Sequence, residues 1–526
     1  MSNDRATPAP RPSLGPWIAF TLALALAPVG FLLWKLYGHG HAFPYWDAWE
    51  LVPILRRIEA GGPAWAELWA QHNEHRIPVP RLIMIALAHA TGWNTGYEVA
   101  LGVLCALALL AALGLHALRA PADRDLPRPW WVLPIFSLLL CSWAQMENWI
   151  WGWQFLVYLS TAAVGIGLVL LAGTHPARFA LALLLGVVAT YSFANGLLYW
   201  FAAAPALALA GDLAPRARLR RGALWAAAAL LCIGAYFIGF QKPEVTPSAG
   251  VLLEAPLAFL GYVVLYLGAP ITACLTRVPW HGPLLFPVGP LHFLPGLAGL
   301  ALLGAALAAL LRQGALHRDN AQPWLGLVLF AGGSAVATAV GRAGYGLEQA
   351  LTAAYLPIGA LFWCGLAGLA ALWLQPRQPL ALASAATPAA LALAGTLLMA
   401  LLLAATARAT REWEDVARWR HMGWEAVRAG HTAPFYLADL CHDPDRLRDD
   451  YLPWLAARGW AGLGPGAPPP RFSAADYRRE CARFIENGLA PAALTYLQTA
   501  ELLEPGHPDT EALRQAGQAR FQPPAP

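Results

Sequence analysis

The chain has 526 residues, of which 58% are apolar and 13% charged, with a net charge of +4. Soluble domains carry about 25% charged and about 45–50% apolar residues, so an ordinary soluble enzyme is excluded, and with it disorder and a nucleic-acid-binding domain, which need far more charge. What remains is an all-α integral membrane protein, a polytopic helix bundle whose 24 Trp suit the hydrocarbon–headgroup boundary.

A spanning helix needs about 20 mostly apolar residues. The first apolar run, 17–37, is longer than a signal-peptide core and has no small-residue cleavage site, so it reads as a retained span. Lysine occurs only at Lys35 and Lys242, which leaves orientation to be read from arginine. Arg5 and Arg11 place the N-terminus in the cytoplasm, and the polar segment 38–95 becomes a first external loop rich in acids: Asp47, Glu50, Glu59, Glu67 and Glu74. Within it, 77–91 is apolar but too short to span comfortably, and reads as an interfacial helix. The second span, 96–118, delivers Arg119, Arg124 and Arg128 to the cytoplasm.

Spans at about 130–145, 153–173, 178–194, 196–211 and 223–240 keep Arg178, Arg216, Arg218, Arg220 and Arg221 inside. The segment 257–275 is ambiguous. If it is a re-entrant or surface helix, Arg312 and Arg318 also fall inside, which is the preferred reading; if it spans, the count becomes twelve and the tail cytoplasmic. Spans at about 291–312, 323–341, 354–374 and 386–407 then complete about eleven, with Arg377 inside and the tail outside. The expected division is a transmembrane domain over 1–407 and a small soluble helical domain over 408–526. The tail holds 16 of the 31 acidic residues, which is why the boundary falls there. Helices are predicted at about 409–429, at 446–458 and as a pair over 474–518, the pair resembling one tetratricopeptide-like hairpin. Cys441 and Cys481 lie in this tail, where an oxidising compartment permits a disulfide and two free thiols are the alternative.

The chemistry concentrates in the first loop. Asp47 and Glu50 follow the first span at a spacing that projects both carboxylates from one turn, and His72-Asn73-Glu74-His75-Arg76, with Arg81 beyond, adds a cationic cluster. A carboxylate there is a candidate general base, while Arg and His can neutralise a phosphate leaving group. The blander alternative makes Asp47 a helix cap and the cluster a solvated loop. His72 and His75, with Asp47 or Glu50, are also a candidate divalent-metal set, although HEXXH spacing and a Cys framework are absent. No Walker or dinucleotide Gly motif is present, so no directly bound cytoplasmic nucleotide is expected.

An acid just after the first span, amphipathic juxtamembrane helices and the entry HNEHRIPVPRL resemble the GT-C superfamily of membrane glycosyltransferases. The chain is also similar to bacterial GT-C-like membrane proteins of undefined substrate through QHNEHRIPVPRL, QMENWIWGWQ, YSFANGLLYW and GRAGYGLEQA. The resemblance implies a loop acid as catalytic base or metal ligand, a polyprenyl-phosphate-linked sugar donor, and a lipid, glycan or protein acceptor outside the inner membrane of a bacterial envelope. The loop lacks an Asp-Asp or Asp-Glu dipeptide and has only Asp47 followed by Glu50.

Other motifs fall on the same predicted external side. Glu147, Asn148 and Gln154 stand among Trp149, Trp151 and Trp153, a sugar-binding composition that interfacial anchoring explains only in part. Asn195 and Gly196 read as a tight turn between short spans. Arg342, flanked by Gly341 and Gly344, suits recognition of a lipid phosphate, with Glu348 as the alternative salt-bridge partner. The expected activity is therefore glycosyl transfer, with Asp47 and Glu50 catalytic and His72, Glu74, His75, Arg76, Arg81, Glu147, Asn148, Gln154 and Arg342 binding substrate. A transporter or flippase of lipid-linked saccharides, or a glycan polymerase, is the alternative; the thin supply of intramembrane charge weighs against ion-coupled transport.

Overall fold

In the computed structural model, residues 15–119, 128–209, 213–243, 251–276, 288–314, 321–374 and 388–521 are described. Arg5, Arg11, Arg124, Arg318 and Arg377, which carry part of the orientation reading, lie outside them.

The first described helix is α1 (Gly15–His39). The loop after it builds a 3-10 turn at Trp46–Glu50, then α2 (Leu51–Glu59), α3 (Trp65–Trp69), an antiparallel hairpin of β1 (Gln71–His72) and β2 (His75–Arg76), and α4 (Pro78–Thr91). Pro78 fits the first turn of α4, where its missing N–H costs nothing, and Gly92 ends the helix at a φ of +64°. The bundle continues with α5 (Gly96–Arg119), the short α6 (Val132–Leu140) and α7 (Met146–Ile150), α8 (Phe155–Leu171), α9 (Pro176–Thr190), the short α10 (Tyr199–Ala202) and α11 (Ala204–Ala208), and α12 (Pro215–Phe237). After α13 (Val251–Glu254) come α14 (Pro256–Leu275), α15 (Leu294–Arg312), α16 (Gln322–Arg342), α17 (Leu356–Leu374) and α18 (Pro388–Ala409).

Among the described residues, eight helices are long and apolar enough to cross a membrane, and they include α1, α5, α14 and α16. Helices in lipid gain nothing hydrophobic by touching, so close packing must hold them. At the α16–α17 contact, for example, a Cβ on Gly365 would come within 2.8 Å of the Trp324 carbonyl oxygen.

Two expected spans are broken. Where one helix was expected at 130–145, α6 stops at Leu140, Ser142 Oγ caps the Ala144 N–H, and the chain restarts as α7. Where another was expected at 196–211, a 3-10 turn over Ala194–Leu198 is followed by α10 and α11. Irregular backbone at membrane depth is tolerated where it is buried in protein or lines a cavity; the first break, at 141–145, is buried, and the second lines the cavity described below.

α14 meets its neighbours at their ends. Gly268 packs on the Gly296 backbone nitrogen at the start of α15, Trp363 near the start of α17 donates to the Leu267 carbonyl at 2.8 Å, and Gly261 faces Leu347 beyond the end of α16. At its other end, Cys274 approaches Ser142 at 3.5 Å. A helix packed in line with the bundle would meet its neighbours along their lengths; these contacts gather at one face.

The tail docks on that face. Helices at Arg411–Arg428, Pro434–Leu440, Ala474–Glu486, Ala490–Leu503 and Pro508–Phe521 pack around Trp419, Tyr436, Tyr477, Phe484 and Tyr496. The helix expected at 446–458 is present over 444–456, with its middle, Leu447–Tyr451, wound as a π-helix ahead of Pro453, which has no N–H to continue the α ladder. Cys441 and Cys481 are buried free thiols, so the disulfide alternative is not realised. Lys35 of α1 meets Glu414 at 2.6 Å, Phe43 stacks on Trp424, Arg458 forks onto Glu59, and Ala461 N–H donates to the Gly92 carbonyl at 2.7 Å.

Candidate functional site

Asp47 and Glu50 belong to the 3-10 turn, whose three residues per turn place i and i+3 on one side. The turn begins with Trp46 at a φ of +49°, a left-handed conformation that costs a non-glycine residue about 1–2 kcal/mol. The Trp46 indole N–H offsets that cost by donating to the Asp439 carbonyl at 2.9 Å, and the Trp49 indole does the same to Leu440 at 2.8 Å. Two tail carbonyls thus clamp the turn that presents the carboxylates.

Opposite them stands the hairpin. Asn73 takes the left-handed position of its two-residue turn, at φ +49°, which a short polar side chain tolerates. His72 places Nδ1 at 2.9 Å from Glu50 and Nε2 at 3.5 Å from Asp47. Burial alone would lower this imidazole, but the two carboxylates raise it to about 9, so it is an imidazolium at neutral pH. From the tail, His442 brings Nε2 to 3.6 Å from the other Asp47 oxygen, with its ring edge-on to Trp46.

On the far side of the turn, Glu74 forms an ion pair with Arg342 at the end of α16, the longer contact being 2.6 Å. Burial would raise the Glu74 carboxyl; His75 and the Arg342 guanidinium beside it hold it below its ordinary range. Arg342 is thus paired with Glu74, where the sequence offers Glu348 as the alternative to phosphate binding, because the hairpin brings the first loop over the end of α16. His75 stacks on Phe193 and accepts the Ala194 N–H on Nδ1 at 3.1 Å; burial pushes it down to about 4, so it stays neutral with its proton on Nε2.

These groups line one cavity of about 730 Å³. Asp47, Glu50, His72, Glu74, His75, Glu147, Gln154 and Arg342 all reach it. Trp151, Trp153 and Tyr355 supply aromatic walls, and Leu156, Leu198 and Val340 an apolar part.

Three expected binding residues do not line it. Arg76 is buried and donates to the carbonyls of Trp69, Tyr236 and Ile238; Arg81 donates to those of Glu67, Leu68 and Ala70 and reaches Glu50 only at 3.5 Å; Asn148 donates to the Ala353 carbonyl at 2.6 Å. A buried guanidinium must satisfy its N–H groups, and here backbone oxygens do so, which makes both arginines struts of the loop. Sequence reasoning missed His442, Lys242 and Gln349, which also line the cavity. Nothing near His442 in sequence marks it. Lys242 had one available signal, as one of only two lysines in the chain.

Asp47, Glu50 and His72 each bring one donor atom within 4.8 Å of the others. Two carboxylate oxygens and an imidazole nitrogen suit a divalent cation that keeps some of its water, once His72 has given up its proton. Chemically, the cavity joins an acidic centre at Asp47 to a guanidinium at Arg342. Comparison with protein-family models, with curated proteins and with solved structures finds no match to this chain.

Proposed function

We propose that the chain is a membrane glycosyltransferase of the GT-C type, moving a sugar from a polyprenyl-phosphate carrier to a hydroxyl or amine of a lipid, glycan or protein acceptor. The observation that carries this reading is the sharing of one cavity by the Asp47–Glu50 carboxylates and Arg342. In the proposed reaction Asp47 accepts the acceptor's proton as the new bond forms at the sugar's anomeric carbon. The bond to the carrier phosphate breaks, and the phosphate leaves with the electron pair, neutralised by Arg342 as it exchanges Glu74 for the leaving group. A divalent cation held by Asp47, Glu50 and His72 would supply further charge stabilisation. The apolar part of the cavity suits the carrier's isoprenoid end, and the indoles suit sugar C–H faces.

We place the cavity on the periplasmic side of the bacterial inner membrane with the N-terminus in the cytoplasm, since before residue 408 thirteen arginines fall on the opposite side and six on this one when α14 does not cross. The end-on contacts of α14 support the reading in which it does not cross.

The test is turnover of a lipid-linked sugar by the purified protein. Asp47→Asn keeps the shape and loses the base, so turnover should fall about 10²–10⁴-fold with expression and thermal stability unchanged; Glu50→Gln should do less. Wild-type turnover in Asp47→Asn removes the catalytic assignment. Movement of the same lipid across vesicles without any transfer makes the protein a flippase instead, and chain extension of a glycan makes it a polymerase.

A further inference from the structure

A second cavity, of about 230 Å³, lies where α1 meets the tail, lined by Gly38, His39, Arg418, His421, Arg471 and Phe472 among others. Every ionisable group lining it is basic. The carboxylates that touch these residues stand behind them: Glu414 is 3.5 Å from His39, Glu425 is 3.7 Å from His421, and Asp476 and Glu480 are each 3.7 Å from Arg418.

The Arg418 guanidinium is short of acceptors. Its two ion pairs are too long for hydrogen bonds, and its Nε is buried without a partner among the described residues. Arg471 uses one nitrogen on the Gly38 carbonyl at 2.8 Å. Both guanidinium groups stand 5.8 Å from the centre of the Phe472 ring. Both guanidinium groups line this cavity, and an anion held in it would offset their repulsion and offer acceptors to a guanidinium that lacks them.

The cavity's height in the fold bears on the source of that anion. Trp34 and Tyr37 stand exposed on the last turns of α1, the position of an aromatic belt at the hydrocarbon–headgroup boundary, and His39 follows directly. Phosphate headgroups occupy this level.

We infer that this cavity binds a phosphate group, drawn either from a phospholipid headgroup or from free phosphate, and that the site is separate from the Asp47 cavity. The experiment uses the purified full chain in two arms: calorimetric titration with inorganic phosphate in detergent, and native mass spectrometry of lipid retained after transfer from phosphatidylglycerol or phosphatidylcholine vesicles. Arg418→Gln and Arg471→Gln should each weaken the bound probe about tenfold, the loss of one charge-assisted fork. Arg514→Gln, at a half-exposed tail arginine whose partners Glu501 and Glu511 touch none of the cavity residues, should change nothing. Retained phosphatidylglycerol without phosphate binding identifies the lipid as source, and the reverse identifies free phosphate. Should a glutamine variant fail to fold, Arg418→Lys keeps the charge and loses the fork, and should weaken binding about threefold. The inference is overturned if the wild type binds neither probe, if the Arg418 and Arg471 variants bind as the wild type does, or if Arg514→Gln weakens binding equally.

Discussion

Arg342 shows how a single side chain divides between structure and chemistry. A guanidinium bound to Glu74 satisfies the charge of both groups in a partly buried place, yet the pair remains in the cavity wall, where a phosphate can compete for the same fork. Arg342→Ala should therefore raise KM for a lipid-phosphate donor about 10–100-fold, with Arg342→Lys intermediate because an ammonium is a point charge. Glu74→Gln should act in the opposite direction and lower KM, since it removes the competing carboxylate. Equal donor affinity in all three variants would reduce the pair to a structural link. His72 yields a prediction with a defined sign. Its folded pKa is raised to about 9, and a metal ligand must be neutral, so below that value a proton competes with the cation. Apparent Mn²⁺ affinity should rise about tenfold per pH unit from about pH 7 and level off above about pH 9; pH-independent binding would remove His72 from the ligand set. At this scale the sequence spoke clearly about Asp47 and Glu50, because three residues of spacing is a local property. It was silent about Glu74 as the partner of Arg342, because the hairpin that unites them is a long-range contact, and it could not distinguish Arg76 and Arg81, which spend their donors on backbone oxygens, from free cations.

Broken elements supply part of the cavity wall, Glu147 from one and Ala194, Asn195, Leu197 and Leu198 from the other. Apolar runs at 130–145 and 196–211 read as continuous spans because hydropathy reports burial and not the continuity of the helix. The breaks come from side chain–backbone bonds, such as Trp149 donating to the Ser142 carbonyl, and from a close approach at Gly196, where a Cβ would overlap the Ala189 carbonyl. Gly196→Ala must push the Ala194–Leu198 turn off the end of α9, at a cost of about 1–3 kcal/mol. The expected result is a lower melting temperature together with loss of turnover, since Asn195 and Leu198 move with the turn. A variant with wild-type melting and turnover would show that the turn does not shape the cavity. The tail helices were legible from their charge pattern, whereas the π-turn before Pro453 and the arrival of His442 beside Asp47 depend on packing that no local pattern encodes. His442→Ala should lower turnover less than Asp47→Asn and shift its pH profile; an unchanged profile would leave His442 a bystander on Trp46.

For the whole molecule, the arrangement of Asp47, Glu147, Arg342 and the tail around one face makes a topological prediction. Single cysteines at Gly344 and Ala467, both exposed, should react with an impermeant reagent from one side of the membrane, and a cysteine at Gln313, beyond the end of α15, should react only from the other. Protection of Gly344→Cys under conditions that label Ala467→Cys would separate Arg342 from the tail and remove the shared cavity. The membrane class was evident from composition alone. The span count was not, because α14 has the length and hydropathy of a span while its contacts lie at the ends of α15 and α17.

The indoles of Trp46 and Trp49 reach carbonyls nearly 400 residues further along the chain, at Asp439 and Leu440. Translation runs from the N-terminus, so the ribosome delivers Asp47 long before the groups that hold its turn, and every later helix of the bundle is made in the interval. The nascent chain then carries its carboxylates without their final geometry until its last fifth has emerged and docked. If the proposed reading holds, a product that terminates at residue 410 inserts and shows no turnover. Co-expression of 411–526 as a separate polypeptide, measured by recovered turnover, would reveal whether the late arrival can be supplied in trans.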